Sequence, residues 1–509
     1  MILRHATRAA FAASPMTRFI SPSIVWRRRP PTPEDDLTAM TARAPIVILG
    51  AGPAGLGAAL RLARRGFDVT VVERNTAVGG NAGSFNLDGL RVDYGSHRLH
   101  PACAPQVLAD IRQMLGADLI ERPRHGRIRL RGRWVHFPLK PANLALNLPP
   151  AFLLGVATDA VTGWTHRNGS DNFASILERG LGRTICRDFY FPYARKIWGL
   201  PVAELDAEQA RRRVSAGSFA KMARKVLSAM PGLKTPTTGR FYYPKRGYGQ
   251  ISDAYYQAAV QAGATVRLET SLSAVETEDG RAVAVRVGSQ GREERLAARQ
   301  VLSTIPLPAL LRTVAPVAPP DVLASAGALQ YRAMILIYLV LATDRFTEYD
   351  AHYFPELEVA VTRLSEPKNY GLAEVPGKTV LCAELPCSTA DTIWRAGDQE
   401  LAALVMDSLV AVGLPVRAPV SAITTRRLAQ AYPIYSGGYS QHFDRIDSWL
   451  SGIDGVLTFG RQGLFAHDNT HHALAMAYAA SDSLDSNGSL DRQRWALHRR
   501  AFREHVVED

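Results

Sequence analysis

The stretch Ile46-Val-Ile-Leu-Gly50-Ala-Gly52-Pro53-Ala54-Gly55 constrains this chain more than any other. An apolar run delivers the backbone into three spaced glycines, and a helical pattern carrying Leu60, Leu62 and Ala63 follows. Glycine permits the tight turn, brings the backbone close to a pyrophosphate and lets the helix pack on the strand. The helix N-terminus then presents free N–H groups and partial positive charge to phosphates. A second apolar run, Val69 to Val72, ends in Glu73, at the roughly 20-residue spacing where a carboxylate holds ribose hydroxyls. Strand, glycines, helix, strand and acid in this order predict a dinucleotide site and an α/β fold. Glu73-Arg74 is followed by Gly79-Gly80 and Asn81. That extension is similar to the flavoprotein form of the fingerprint, so the expected dinucleotide is FAD.

A chain of 509 residues can bury a large core and is expected to form two or more structural units. With 47% hydrophobic and 21% charged residues, its composition is that of a globular protein. The longest apolar run, Leu144 to Val161, is interrupted by Asn147, Pro149, Pro150 and Asp159. It is suited to resting on a membrane surface and not to crossing one. A net charge of +13 admits an acidic or phosphorylated partner, but the arginines do not gather into a nucleic-acid module, and no nucleic-acid partner is expected. Cys103, Cys186, Cys382 and Cys387 form no C-x-x-C pair, which fits a reduced, cytoplasmic setting with peripheral membrane contact as an option. Residues 1–43 carry six arginines before Glu34 and read as a disordered or mis-assigned leader, or as a targeting segment.

The remaining pattern suggests an assembly from separated pieces. Arg127, Arg129, Arg131 and Arg133 alternate with apolar residues, a strand with one basic face turned at Gly132; the face is read either as solvated or as an anion-binding wall. Residues 140–239 read as mostly helical. A strand pair is expected over Thr265–Glu276 and Arg281–Val287, turned at Asp279-Gly280, then a buried strand at Val301 and a second sheet from Tyr331 and Thr379. The nucleotide unit is expected from 44–110, 240–310 and 420–485. Residues 111–239 and 311–419 would form the inserted α+β substrate cap, and 486–509 a C-terminal tail.

Taken together, these segments resemble the FAD-dependent superfamily of amine oxidases, protoporphyrinogen oxidases and phytoene desaturases, with motif similarity to UDP-galactopyranose mutases. The resemblance implies a Rossmann-like, glutathione-reductase-type FAD domain. It implies an adenine contact at the backbone of Val275 and a C-terminal flavin motif at Gly460-Arg461 reaching Leu464. Gly95-Ser96-His97-Arg98-Leu-His100 is similar to the mutases' G-x-H-x-x-H loop beside the flavin, which makes His97, Arg98 and Arg461 the expected catalytic residues. Tyr193-Ala-Arg-Lys196-Ile-Trp198-Gly199 is similar to their Y-x-x-K-x-W-G segment, which implies substrate contacts at Trp198 and Arg213; Tyr243 and Tyr435 are further pocket candidates. Phe465, Ala466 and His467 replace the mutases' tyrosines. Metal is not expected, because adjacent His471 and His472 cannot both face one ion from a helix. The resemblance implies an FAD-dependent oxidoreductase passing a hydride from an apolar or lipid-linked small molecule to flavin N5. The alternative it implies is a redox-neutral mutase acting on a nucleotide- or lipid-linked sugar. Oligomeric state is left open.

Overall fold

The computed structural model describes residues 45–139, 141–162, 172–212, 239–371 and 375–507. The expected leader, residues 1–43, and Arg213 lie outside the described residues.

The glycine-bearing strand is the middle of a five-stranded, all-parallel sheet, ordered Val456–Thr458, Gln300–Ser303, Ile46–Leu49, Val69–Val72, Thr265–Arg267. Ile46 to Leu49 are at most 2% exposed, as expected of a parallel strand covered on both faces. The helix Pro53–Arg64 covers one face and packs against the helix Thr470–Asp482. At Gly57 an added Cβ would stand 3.0 Å from Leu474 and 3.1 Å from Ala477, so glycine lets the two helices approach closely without displacing either side chain.

A seven-stranded mixed sheet forms the second layer, ordered Val420–Ile434, Gln330–Leu341, Thr379–Cys387, Arg363–Ser365, Ala351–Tyr353, Gly126–Leu130, Arg133–Phe137. The arginine stripe is the hairpin at its end, turned at Arg131 and Gly132, both at positive φ. Three of its four arginines are engaged within the fold, and Arg133 is exposed. Arg127 lies 4.1 Å over Trp134, Arg129 pairs with Glu356 at 3.3 Å, and Arg131 pairs with Asp188 at 3.6 Å.

Three expectations change. The run from Thr265 is two strands: Thr265–Arg267 joins the nucleotide sheet, and Ser271–Glu278 pairs with Arg281–Ser289 in a separate four-stranded sheet. The break comes at Glu269, which adopts φ +49°. Residues 420–434 belong to the seven-stranded sheet through their pairing with Gln330–Leu341, so that segment re-enters the nucleotide layer only after Ile434. The tail contains a helix, Arg492–Arg503, anchored by buried Trp495 and Phe502.

Candidate functional site

The nucleotide cradle is built almost wholly from backbone. Gly50 adopts φ +98° and donates its N–H to Val72 O at 2.8 Å. Gly52 caps the helix Pro53–Arg64, and an added Cβ there would meet nothing within 4 Å, so the mouth of the loop is open. At Gly55 a Cβ would fall 1.9 Å from Gly50 O, which excludes any side chain. Gly79 donates to Ala51 O at 2.8 Å, seating the Gly79-Gly80 turn on the first loop. Glu73 is 7% exposed; one carboxylate oxygen accepts from Ala51 N at 2.9 Å, the other from Asn75 N and Nδ2 at 2.9 and 2.7 Å. Gly460 closes the cradle from the far end of the chain, where a Cβ would stand 2.7 Å from the Ala54 Cβ. Three positive-φ glycine turns, an open helix N-terminus and a pinned carboxylate fit a dinucleotide pyrophosphate and ribose. Arg74 points to solvent.

Two expected cofactor contacts are corrected. Val275 is fully buried and its N–H donates to Thr313 O at 2.7 Å, because Val314–Ala315 pairs beside it as a parallel strand; that amide is not available to an adenine. The chain passes Glu73 earlier, where Thr270 N donates to Glu73 O. Leu464 spends its N–H on Gly460 O at 3.0 Å, in the short helix Gly460–Gly463, and its side chain is buried.

The polar loop after Asp93 is held from below. Asp93 is 2% exposed and accepts from Ser84 Oγ at 2.6 Å, Tyr243 Oη at 2.5 Å and Tyr248 N at 2.8 Å; burial pushes its carboxyl upward against these bonds. Gly95, at φ +93°, would bring a Cβ to 3.3 Å from Glu384 Oε1, and Ser96 N donates to that oxygen at 2.9 Å. Arg363 grips the same carboxylate through two nitrogens: Nη2 donates to Oε1 at 2.7 Å and to Oε2 at 2.9 Å, and Nε donates to Oε1 at 3.0 Å. Burial opposes the Arg363 charge, yet Glu384 and the phenols of Tyr353, Tyr432 and Tyr193 hold its pKa well above the usual value. Sequence reasoning passed over Glu384 and Arg363. The available signal was a lone acid inside the otherwise uncharged strand Thr379–Cys387.

His97 is satisfied by backbone. Its Nε2–H faces the carbonyls of Asn81 and Tyr94 at 2.9 and 2.8 Å, and its ring stacks on Tyr248 with centroids 5.2 Å apart. Burial pushes its pKa down, so the ring is neutral and donates from Nε2. It fixes the loop to Asn81, whose own Nδ2 reaches Gln430 O at 3.4 Å. Arg98 is not at the reaction surface: it pairs with buried Asp350 at 3.2 Å between the rings of Phe241 and Tyr370. Tyr243, fully buried on Asp93, belongs to this support as well.

The structure brings Trp198 and Arg461 together through Tyr432 and His467, neither of which was an expected substrate contact. Trp198 meets Tyr432 at 5.8 Å and His467 at 5.1 Å, and the Arg461 guanidinium lies 5.2 Å over the Tyr432 ring. Arg461 also donates to Ala431 O at 2.8 Å and Asp468 O at 3.3 Å. Tyr435 is turned away: it is 2% exposed, stacks on Tyr439 at 4.2 Å and donates to Phe465 O at 3.0 Å. Lys196 of the Y-x-x-K-x-W-G segment ties Phe354 O, Glu356 O and Val361 O, at 2.6 to 3.1 Å. Buried Asp468 faces His472 and His505, but Arg212 already engages it at 3.2 Å, so the carboxylate has a cation of its own.

The family model described as flavin containing amine oxidoreductase matches residues 53–460. Among curated proteins, the chain is 38% identical over 74 residues to a phytoene desaturase of Fusarium fujikuroi, a match covering 14% of this chain and 12% of that protein. It is 22% identical over 280 residues to a 4,4'-diapolycopene oxygenase of Methylomonas sp, covering 48% and 52%. These matches therefore span about half or less of the curated relatives. Among solved structures, reduced UDP-galactopyranose mutase superposes with a TM-score of 0.76 at 22% identity, covering 91% of this chain and all of that one. Cyclohexylamine oxidase from Brevibacterium oxydans IH-35A gives 0.61 at 19% identity, covering 86% and 98%. Since the family model covers most of the chain and the cradle closes as a flavoprotein cradle must, the chain belongs to the flavin containing amine oxidoreductase family, with FAD as its cofactor.

Proposed function

We propose that this protein is an FAD-dependent oxidoreductase that removes a hydride from an apolar or lipid-linked substrate. One observation carries the substrate half of the reading: Arg363 and Arg461 are both committed within the fold. Arg363 is neutralised by Glu384, and Arg461 is tied to two backbone carbonyls and the Tyr432 face. What surrounds Arg461 is an aromatic cluster of Trp198, Tyr432 and His467, with Trp198 and His467 each 2% exposed. Such a cluster excludes water and orients an apolar body.

FAD, when bound, supplies a two-electron acceptor, and this chain contributes position and local charge. The glycine turns would hold the pyrophosphate and Glu73 the ribose, and the Gly95-Ser96-His97 segment, fixed by Glu384 and Asn81, would lie beside the flavin. Neutral His97 keeps its donor on backbone, so no protein base is assigned.

The test is turnover of FAD-loaded protein with isoprenoid or other long apolar substrates, read by oxygen or dye reduction. Dependence on such a substrate is the expected result. The second reading, a redox-neutral mutase on a nucleotide- or lipid-linked sugar, is favoured by the guanidinium of Arg363 amid Tyr193, Tyr353 and Tyr432. Activity on UDP-sugars only after dithionite reduction would replace the first reading with the second.

A further inference from the structure

The helices Pro141–Asn147 and Pro150–Thr162 carry an outward face that the site does not use. From residue 141 to 158 there is no charged side chain. Phe152 and Leu148 turn inward onto Ile128, Leu130, Val135 and Tyr353, while Leu146, Leu154 and Val161 are 85%, 69% and 79% exposed. Leu154 and Val161 are seven residues apart, two helical turns, and so share one face. Three of the most exposed large apolar side chains among the described residues thus sit within 16 residues. Scattered surface leucines are ordinary; a concentrated group marks a docking surface.

The charge beside this face indicates the partner. Gly155 packs on Thr184, and Asp159, the one acid of the second helix, turns inward to accept from Thr184 N at 2.6 Å. The neighbouring Arg183 and Arg187 are 62% and 68% exposed; their acids are less so, Glu178, 4.0 Å from Arg183, at 36% and Asp188, paired with Arg187, at 11%. The outward-pointing charge is therefore positive around an apolar centre. That arrangement matches an interfacial helix on an anionic bilayer: apolar side chains enter the acyl boundary and guanidinium groups meet the headgroups. No helix among the described residues is long and apolar enough to span.

We propose that this two-helix face docks the protein peripherally on anionic lipid. The core beneath it includes Phe189 and Tyr193, and Tyr193 lies within electrostatic reach of Arg363 at the site. A docked molecule would hold its cap against the bilayer. Delivery of substrate by that route rests on the apolar-substrate reading, whereas the docking itself does not.

The test is co-sedimentation of the FAD-loaded chain with phosphatidylcholine vesicles containing about 30% phosphatidylglycerol. The wild type is expected to pellet with these vesicles, and the triple variant Leu146→Glu, Leu154→Glu, Val161→Glu to lose about tenfold in bound fraction with unchanged flavin content and melting temperature. Arg183→Glu with Arg187→Glu is expected to weaken binding to the anionic vesicles and leave binding to pure phosphatidylcholine unchanged. Wild-type protein that stays in the supernatant, or a triple variant that pellets equally, overturns the proposal. So does light scattering that finds a wild-type dimer which the triple variant breaks, since the face would then be covered by a second copy. None of these readouts uses turnover, so absent activity on apolar substrates would sink the functional reading and leave the docking result standing.

Discussion

The cradle and the substrate wall are built by opposite means. At the cradle, recognition lies in backbone: Gly50, Gly52, Gly55 and Gly460 contribute by lacking side chains, and Glu73 is held by two amides within a short span of chain. At the wall, recognition lies in side chains drawn from distant segments. Trp198 meets His467, and nearby the Glu384 side chain holds the Ser96 amide from 288 residues away. A backbone site tolerates almost no added atom; a side-chain site fails when a buried charge loses its partner.

The sharpest way to break this contrast is at Gly55. Gly55→Val places a side chain where even a Cβ lies 1.9 Å from Gly50 O, and is expected to cost more than about 4 kcal/mol. The protein should appear insoluble or colourless on purification; a folded, yellow variant would show that the loop can relax. On the wall side, Glu384→Gln leaves Arg363 buried without a counter-ion, at an expected cost of about 3 kcal/mol. Urea melts should record it, and Arg363→Met with Glu384→Gln should recover part of the loss.

A pH-dependent effect, absent near neutrality, belongs to the seven-stranded sheet. Burial holds the His352 pKa at about 3, below its ordinary value near 6.5. The unfolded chain therefore binds a proton that the folded chain refuses, and stability falls as pH drops from about 6.5 toward 3. The limiting slope is about 1.4 kcal/mol per pH unit for this one group. His352→Phe should flatten that part of the melting-temperature profile; an unchanged profile would remove His352 as its source. The smallest effect is expected at Tyr435, where Tyr435→Phe loses the bond donated to Phe465 O and the one accepted from His467 N, for about 2 kcal/mol in urea melts, with KM little changed. A large change in KM would put Tyr435 back in the pocket.

The same contrast explains what could be read from the chain. Gly50 to Gly80 is local, and each residue type there is dictated by its immediate neighbours, so strand, turn, helix and acid were all legible. Val275 was misplaced because its amide is taken by Thr313, a partner that only the returning strand Val314–Ala315 supplies. Arg98 looked like a reacting group from its neighbours His97 and His100, but Asp350 claims it from 252 positions away. Glu384 meant little as one acid in a buried strand until Ser96 and Arg363 arrived to bond it. Trp198 and Arg461 were found because a motif carried them; His467 was read only as a replacement for the mutases' tyrosines, and nothing local joined it or Tyr432 to Trp198.

The five-stranded sheet orders time as well as space. Its strands come from residues near 46, 69, 265, 300 and 456, and Gly460 seats last against Ala54. During synthesis the first glycine turn leaves the ribosome early and then waits for more than four hundred residues before its final neighbour exists. Non-local parallel pairing of this kind is slow to form and leaves strand edges uncovered meanwhile. Cofactor retention is thus a property of the finished polypeptide, and a nascent chain halted before residue 456 is left without the last strand of its nucleotide sheet.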